Sequence, residues 1–202
     1  MTTTQTDPRP LLLAAAAQVT PLIDGVRPAD LDRPTPCDGW AVRDLLAHLA
    51  AVASRVPYLL RGGHPFDVPS MVEGVADDGW AAAWAERQPD LAASLAEDGV
   101  LDRTVHHPAG ELPAAGAMLA YTSELAAHGW DLAAALGRTT DLDDEVAAAC
   151  LEPTRRFLPA EIRHLDEVPF GPVVEVDDDA SSYQRLLGWY GRDPHWTAPA
   201  AH

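Results

Sequence analysis

The chain has 202 residues, of which 47% are apolar, and carries 31 acidic against 14 basic side chains, a formal net charge of −17. That length suits one domain, or one domain with a structured tail, and can bury a substantial core. The charge excludes nucleic acid and anionic membrane surfaces as partners, since both would be repelled.

Residues 1–9 are polar and are expected to be disordered. The Ala-rich run that follows Pro8 and Pro10 has no basic segment before it and continues into an amphipathic pattern. It predicts a first helix over residues 10–25 of the domain rather than a signal peptide. A connector with Pro28, Pro34 and Pro36 leads to a second helix over 41–60. There Val42, Leu45, Leu46, Leu49, Val52, Val56 and Leu59 recur at three- and four-residue steps. Arg61-Gly-Gly-His-Pro65 carries stop chemistry, and 61–76 reads as a loop. Asp77 and Asp78 open a third helix over 79–97, their charge suited to the helix N-terminus. Residues 100–113 cross the domain with a short extended piece. A fourth helix spans 114–136, closed by Gly137, and a fifth spans 143–158. Beyond Glu161 the composition changes: 170–179 reads as extended and 181–187 as a short capped helix. No apolar run approaches the roughly 20 residues of a membrane span. Cys37 and Cys150 make no disulfide framework, so a reducing cytoplasm is the expected location.

The predicted architecture is all-α. An up-down four-helix bundle with one long crossover and an extra helix occupies 10–162, and a partly extended tail, 163–202, packs on it. Two helices aim polar groups at an apolar face. On the second, His48 lies between the core-type Leu45 and Val52. On the fourth, Glu124 and His128 are one turn apart beside Leu125 and Leu132. Taken alone, Glu124 and His128 have the spacing of an i,i+4 pair on a solvated face, and a lone His48 that of a satisfied core histidine. If the two helices are adjacent and all three side chains point inward, they must be paired or ligated. Two imidazoles and a carboxylate are three of the four ligands of a catalytic divalent metal.

Around this set, Asp44 and Asp131 are placed one turn from His48 and His128, where each could accept a free imidazole N–H. Cys37 precedes a helix N-terminus, where a thiolate is favoured, but also fits a small buried residue in a turn. His106 and His107 lie in the crossing segment. Arg155 and Arg156 interrupt an acidic sequence, and Arg155 could receive an anionic substrate group. Trp40 and Trp130 flank the two polar segments as candidate pocket walls.

The stretch from Pro34 to His48 (PTPCDGWAVRDLLAH) resembles the N-terminal motif of the DinB/YfiT-like superfamily, in particular the metal-binding domain of mycothiol-dependent maleylpyruvate isomerase. The stretch from Glu124 to Gly137 (ELAAHGWDLAAALG) resembles the second motif. Phe170 to Val176 (FGPVVEV) and Leu186 to Pro194 (LLGWYGRDP) resemble the tail of a stand-alone actinobacterial metal-binding subfamily.

The resemblance implies a four-helix bundle holding Zn²⁺, or another divalent ion such as Ni²⁺, on His48, Glu124 and His128, with mycothiol as thiol co-substrate and a small electrophile as substrate. It departs from the pattern at Ala41, where relatives carry a capping Ser or Thr, so a cap from Asp38 is expected. The isomerase also carries a second, C-terminal domain that contributes to catalysis; this chain is expected to lack it, so maleylpyruvate isomerisation itself is not the expected reaction. Three activities fit: a metal-dependent thiol S-transferase or isomerase-like enzyme, a metal-dependent hydrolase, or a non-catalytic metal-containing small-molecule binding protein. A homodimer is compatible with each.

Overall fold

In a computed structural model, which describes residues 7–165, 168 and 170–199, the periodic stretches are helices. They are α1 (Arg9–Asp24), α2 (Val42–Leu60), α3 (Trp80–Leu95), α4 (Ala114–Leu136), α5 (Asp144–Phe157) and α6 (Ser182–Trp189). The crossing segment between α3 and α4 folds as an antiparallel hairpin of β1 (Thr104–His107) and β2 (Gly110–Pro113), with Val105 opposite Leu112. The first six residues, most of the stretch expected to be disordered, lie outside the described residues.

The first four helices close a ring in the order α1, α4, α2, α3, and α5 and α6 pack on the outer side of α4. α2 and α3, joined by a loop, are neighbours. The α1–α2 and α3–α4 links both cross the bundle. α2 turns the face bearing Leu45, Leu49, Val52, Val56 and Leu59 into the core, where each is at most 2% exposed. Burying a side chain of this size contributes about 1.5–3 kcal/mol.

α4 touches α1, α2, α5 and α6, so it must be apolar on nearly every side. Alanine serves this crowded position because it costs no side-chain entropy and lets neighbouring backbones approach. At Gly129 a methyl group would lie 2.9 Å from Val19 Cγ2 of α1. α1 therefore packs tightly on α4 one residue after His128.

The helix ends differ in part from expectation. The cap of α2 comes from Asp44, not Asp38: its Oδ2 accepts the Ala41 N–H at 2.9 Å. A carboxylate in the first turn does this work and also suits the helix dipole. α6 starts with a capping box in which Ser181 Oγ accepts from Gln184 N and Gln184 Oε1 from Ser181 N. Residues 170–179 form no strand. They cross α6 instead, with Val174 N–H bonded to the Gly188 carbonyl at 2.8 Å. Gly188 permits that approach, since a Cβ there would lie 2.5 Å from Val174 O.

The tail is fastened to the bundle by Asp144, whose two oxygens accept the N–H groups of Ser182 and Tyr183 at 2.9 and 3.0 Å. Burial pushes the Asp144 carboxyl up, but the bonds from Ser182 and Tyr183 outweigh it and hold it below 3.8. Asp144→Ala is expected to lower the unfolding free energy by about 1 kcal/mol in urea titration, the usual worth of a lost helix cap. A depressed folded value means the contribution is complete above pH 3.8 and disappears as pH falls through the lower native value. The wild-type advantage should therefore vanish in acid; a gap that persisted at pH 2 would assign it to packing.

Candidate metal centre

Adjacency of α2 and α4 brings His48, Glu124 and His128 together. One ligand-type atom from each lies within 4.8 Å of the others. His48 is 8% exposed. The Glu124 side chain keeps 27% of its surface, so the cluster is deep in the seam yet open on the carboxylate side.

Hydrogen bonds orient each imidazole from behind. His48 Nδ1 lies 2.9 Å from the carbonyl of Ser70, in the loop after α2, and its Nε2 lies 2.9 Å from Glu124 Oε1. A carbonyl only accepts, so Nδ1 carries the proton. The Nε2 edge and the carboxylate are then two acceptors face to face, and a positive species, proton or cation, belongs between them. His128 Nδ1 lies 3.0 Å from Asp131 Oδ2, which leaves its Nε2 free in the same way.

Asp131 has no exposed side-chain surface. Its oxygens accept from Arg192 Nε at 2.9 Å and Nη2 at 2.9 Å, and from the Cys37 thiol at 3.1 Å. Burial pushes its carboxyl up, and Arg192 and His128 outweigh that, so the group is held below its ordinary range. Burial also pulls the His128 imidazolium down, against the bond to Asp131. At Glu124 burial acts upward, while a proton shared with His48 Nε2 and the charge of Arg55 act downward, and the carboxyl is held low. Burial raises the Cys37 thiol to about 12, with the Asp131 charge adding to it. Cys37 serves here as an S–H donor to Asp131 Oδ2.

Other candidate residues are distributed unevenly. Trp40 is at the cluster, its ring stacked on His128 at 5.9 Å and 5.1 Å from His48. Trp130 is buried in the core. Asp44 is committed to the α2 cap, and the Ser70 carbonyl takes the position behind His48 that had been expected for it. Arg155 bonds Glu152, lies 5.0 Å over the Trp189 ring, and lines a surface groove with Glu175 and Arg185. The arginine at the cluster is Arg192, delivered by the tail.

Sequence reasoning missed Arg192, Arg55 and Tyr121. Arg55 follows His48 by two turns of α2 and Tyr121 precedes Glu124 by one turn of α4, so both extend the same seam. Arg55 Nε and the Tyr121 hydroxyl are buried without a hydrogen-bond partner among the described residues. The His107 ring meets Tyr121 edge-on at 5.4 Å. Helical spacing from His48 and Glu124 was a usable signal for Arg55 and Tyr121; Arg192 lies in the LLGWYGRDP motif, but nothing in that motif gives it a role.

The donor set fits a divalent ion. Two imidazole nitrogens with their far N–H groups engaged, plus one ionised carboxylate, form the usual ligand set of a catalytic zinc site with an open position. His48 Nε2 and Glu124 Oε1 at 2.9 Å lie a few tenths of an ångström inside the roughly 3.4 Å that separates two atoms bonded tetrahedrally to one ion at about 2.0–2.2 Å.

Residues 12–133 match the family described as mycothiol maleylpyruvate isomerase N-terminal domain. Two uncharacterized Mycobacterium tuberculosis proteins, MT0763 and Rv0738, are each 31% identical over 171 residues, 85% of this chain and 90% of theirs. Two crystal structures of a mycothiol-dependent maleylpyruvate isomerase, one of them a point variant, share the fold. They have TM-scores of 0.57 and 0.55 at 17% and 18% identity, each covering 77% of this chain and 68% of the other.

Asp131→Ala leaves the Arg192 guanidinium buried and uncompensated, and is expected to cost about 3–5 kcal/mol of stability in denaturant titration. Replacing both residues by leucine should recover most of it. A single-variant loss under about 1 kcal/mol would mean that water solvates Arg192 and the pair is a surface bridge.

Proposed function

The chain belongs to the mycothiol maleylpyruvate isomerase N-terminal domain family, and we propose that it is a divalent-metal-dependent enzyme that applies a low-molecular-weight thiol, mycothiol in the family's namesake, to a small electrophile by S-transfer or isomerisation. The observation that carries the proposal is the meeting of His48 Nε2 with Glu124 Oε1 at 2.9 Å, with His128 alongside, in the seam between α2 and α4. His48, Glu124 and His128 would hold Zn²⁺ or a similar ion such as Ni²⁺. When bound, such an ion is a Lewis acid that keeps a coordinated thiol ionised near neutral pH.

The remaining work falls to the chain itself. The Ser70 carbonyl and Asp131 hold the two imidazole Nδ1–H groups, so both rings keep one edge aimed inward. The Trp40 ring covers His128 and shields that side from water. Arg55 and the Tyr121 hydroxyl stand beside Glu124 with bonding capacity unused, and are the groups suited to orient a substrate's polar end. The Cys37 S–H is engaged with Asp131 Oδ2, and in this reading the reacting sulfur is that of the co-substrate.

Elemental analysis of protein loaded with zinc and then desalted is expected to give one ion per chain for the wild type and none for His48→Ala. A folded His48→Ala protein that retains one ion per chain would overturn the ligand set. With cobalt in place of zinc, added thiol should produce a sulfur-to-metal charge-transfer band. Turnover independent of thiol would transfer the proposal to a hydrolase, and binding without conversion to a sequestration protein.

A further inference from the structure

We infer that Arg192 is a positioning residue for the metal centre, acting from the C-terminal tail through Asp131; this deepens the function proposed above and rests on it. The inference begins at a carboxylate that water cannot reach. Asp131 is fully buried, so protein donors alone set its orientation. The Arg192 fork spans it, with Nε 2.9 Å from Oδ1 and Nη2 2.9 Å from Oδ2. A planar fork on a carboxylate fixes both its plane and its rotation. With the group so held, Oδ2 also receives the His128 Nδ1–H at 3.0 Å and the Cys37 S–H at 3.1 Å. Three separate parts of the chain therefore converge on one oxygen: the connector before α2, helix α4, and the tail.

The tail is built to deliver this side chain. α6 ends at Trp189, and the turn beyond it passes through Gly191 at φ +80°. A Cβ at Gly191 would lie 2.8 Å from Pro172 O and 2.9 Å from Gly171 O. Glycine alone meets both the left-handed conformation and the close approach. The Arg192 N–H then closes the turn on the Leu187 carbonyl at 3.0 Å, and its guanidinium passes 5.7 Å from the Tyr190 ring on the way to Asp131. The order of dependence is the Gly191 turn, Arg192, Asp131, the His128 ring, and last the Nε2 edge presented beside His48 and Glu124.

A mere fastener of the tail would leave the His128 ring and the metal affinity unchanged, which separates the two roles. Zinc affinity is measured on the full-length apoprotein by competition with a chromophoric chelator, for the wild type, Arg192→Gln, Arg192→Lys, Asp131→Asn and the double variant Asp131→Asn/Arg192→Gln. Arg192→Gln is expected to weaken zinc binding on the order of 10-fold, at the low end of what loss of such an outer partner costs. Lysine restores charge without the fork and should recover only part of it. The double variant should bind no more weakly than Asp131→Asn alone, because the bonds of Arg192 to that carboxylate at 2.9 Å dominate its longer approaches to His128 Nδ1 at 3.5 Å and Cys37 Sγ at 3.6 Å.

Nitrogen-15 NMR of the His128 ring in apoprotein supplies a readout independent of metal. The wild type should show one Nδ1–H tautomer, and Arg192→Gln a mixture. A folded Arg192→Gln protein with wild-type affinity and a single tautomer overturns the inference, as does a double variant whose losses add. If Arg192→Gln fails to fold, Arg192→Lys, which keeps the charge and loses the fork, is compared with the wild type, and wild-type affinity with a single tautomer there overturns the inference. A wild type that takes up no zinc overturns the proposed function itself, and the His128 tautomer then still tests the role of Arg192.

Discussion

An ionisable side chain inside an apolar helical bundle has to be matched, and every feature of this site follows from that requirement. His48, Glu124, His128 and Asp131 all face the interior of a protein whose core is mostly leucine, valine and alanine. None of them can be left without a partner at a cost the fold could absorb. The resulting bonds run in two lines, from the Ser70 carbonyl through His48 to Glu124, and from His128 through Asp131 to Arg192. The free edges of the two imidazoles and the carboxylate meet where those two lines approach each other.

α4 bears most of this arrangement. It is packed on four helices and carries Tyr121, Glu124, His128 and Asp131 within three turns. Its alanines and Gly129 let the surrounding backbones close in, which holds its polar groups on a rigid element. The fold recurs in crystal structures of a mycothiol-dependent maleylpyruvate isomerase at under one-fifth identity, so the bundle tolerates wide change in sequence while keeping its helices in place. The C-terminal tail adds a second layer. Asp144 anchors the start of α6, and the turn after α6 points Arg192 back into the bundle.

Much of the fold was legible because helical periodicity is a local property. The apolar steps in α2, Gly137 after α4 and the Ser181 cap of α6 lie within a turn or two of the ends they specify, and the helix bounds agree to within two residues or so. Residues 170–179 were not legible, because Val174 bonds to Gly188 of α6 and to no second strand. The cap of α2 was misassigned to Asp38: Asp44 lies on the other side of the Ala41 amide and reaches back to it. At the site, the one-turn spacing of Glu124 and His128 was visible, and the inward setting of His48 followed from Leu45 and Val52. That the two helices are neighbours was an expectation that residue spacing could raise but not decide. Arg155 was chosen as the anion-binding arginine because it interrupts an acidic stretch, yet in the structure it serves Glu152 and the Trp189 ring.

By itself the sequence determined the helices, their buried faces and the residue types able to bind a metal, since each depends on side chains within about one turn of one another. Only the tertiary structure decided which arginine meets Asp131, what Cys37 does, and which carbonyl backs His48. Arg192 is 61 positions from Asp131, Cys37 is 94 positions away, and Ser70 is 22 from His48. Contacts at such separations arise when the chain closes on itself, and the physical reason for these ones is that a buried carboxylate and a buried imidazole draw whatever donor or acceptor the packing brings within reach.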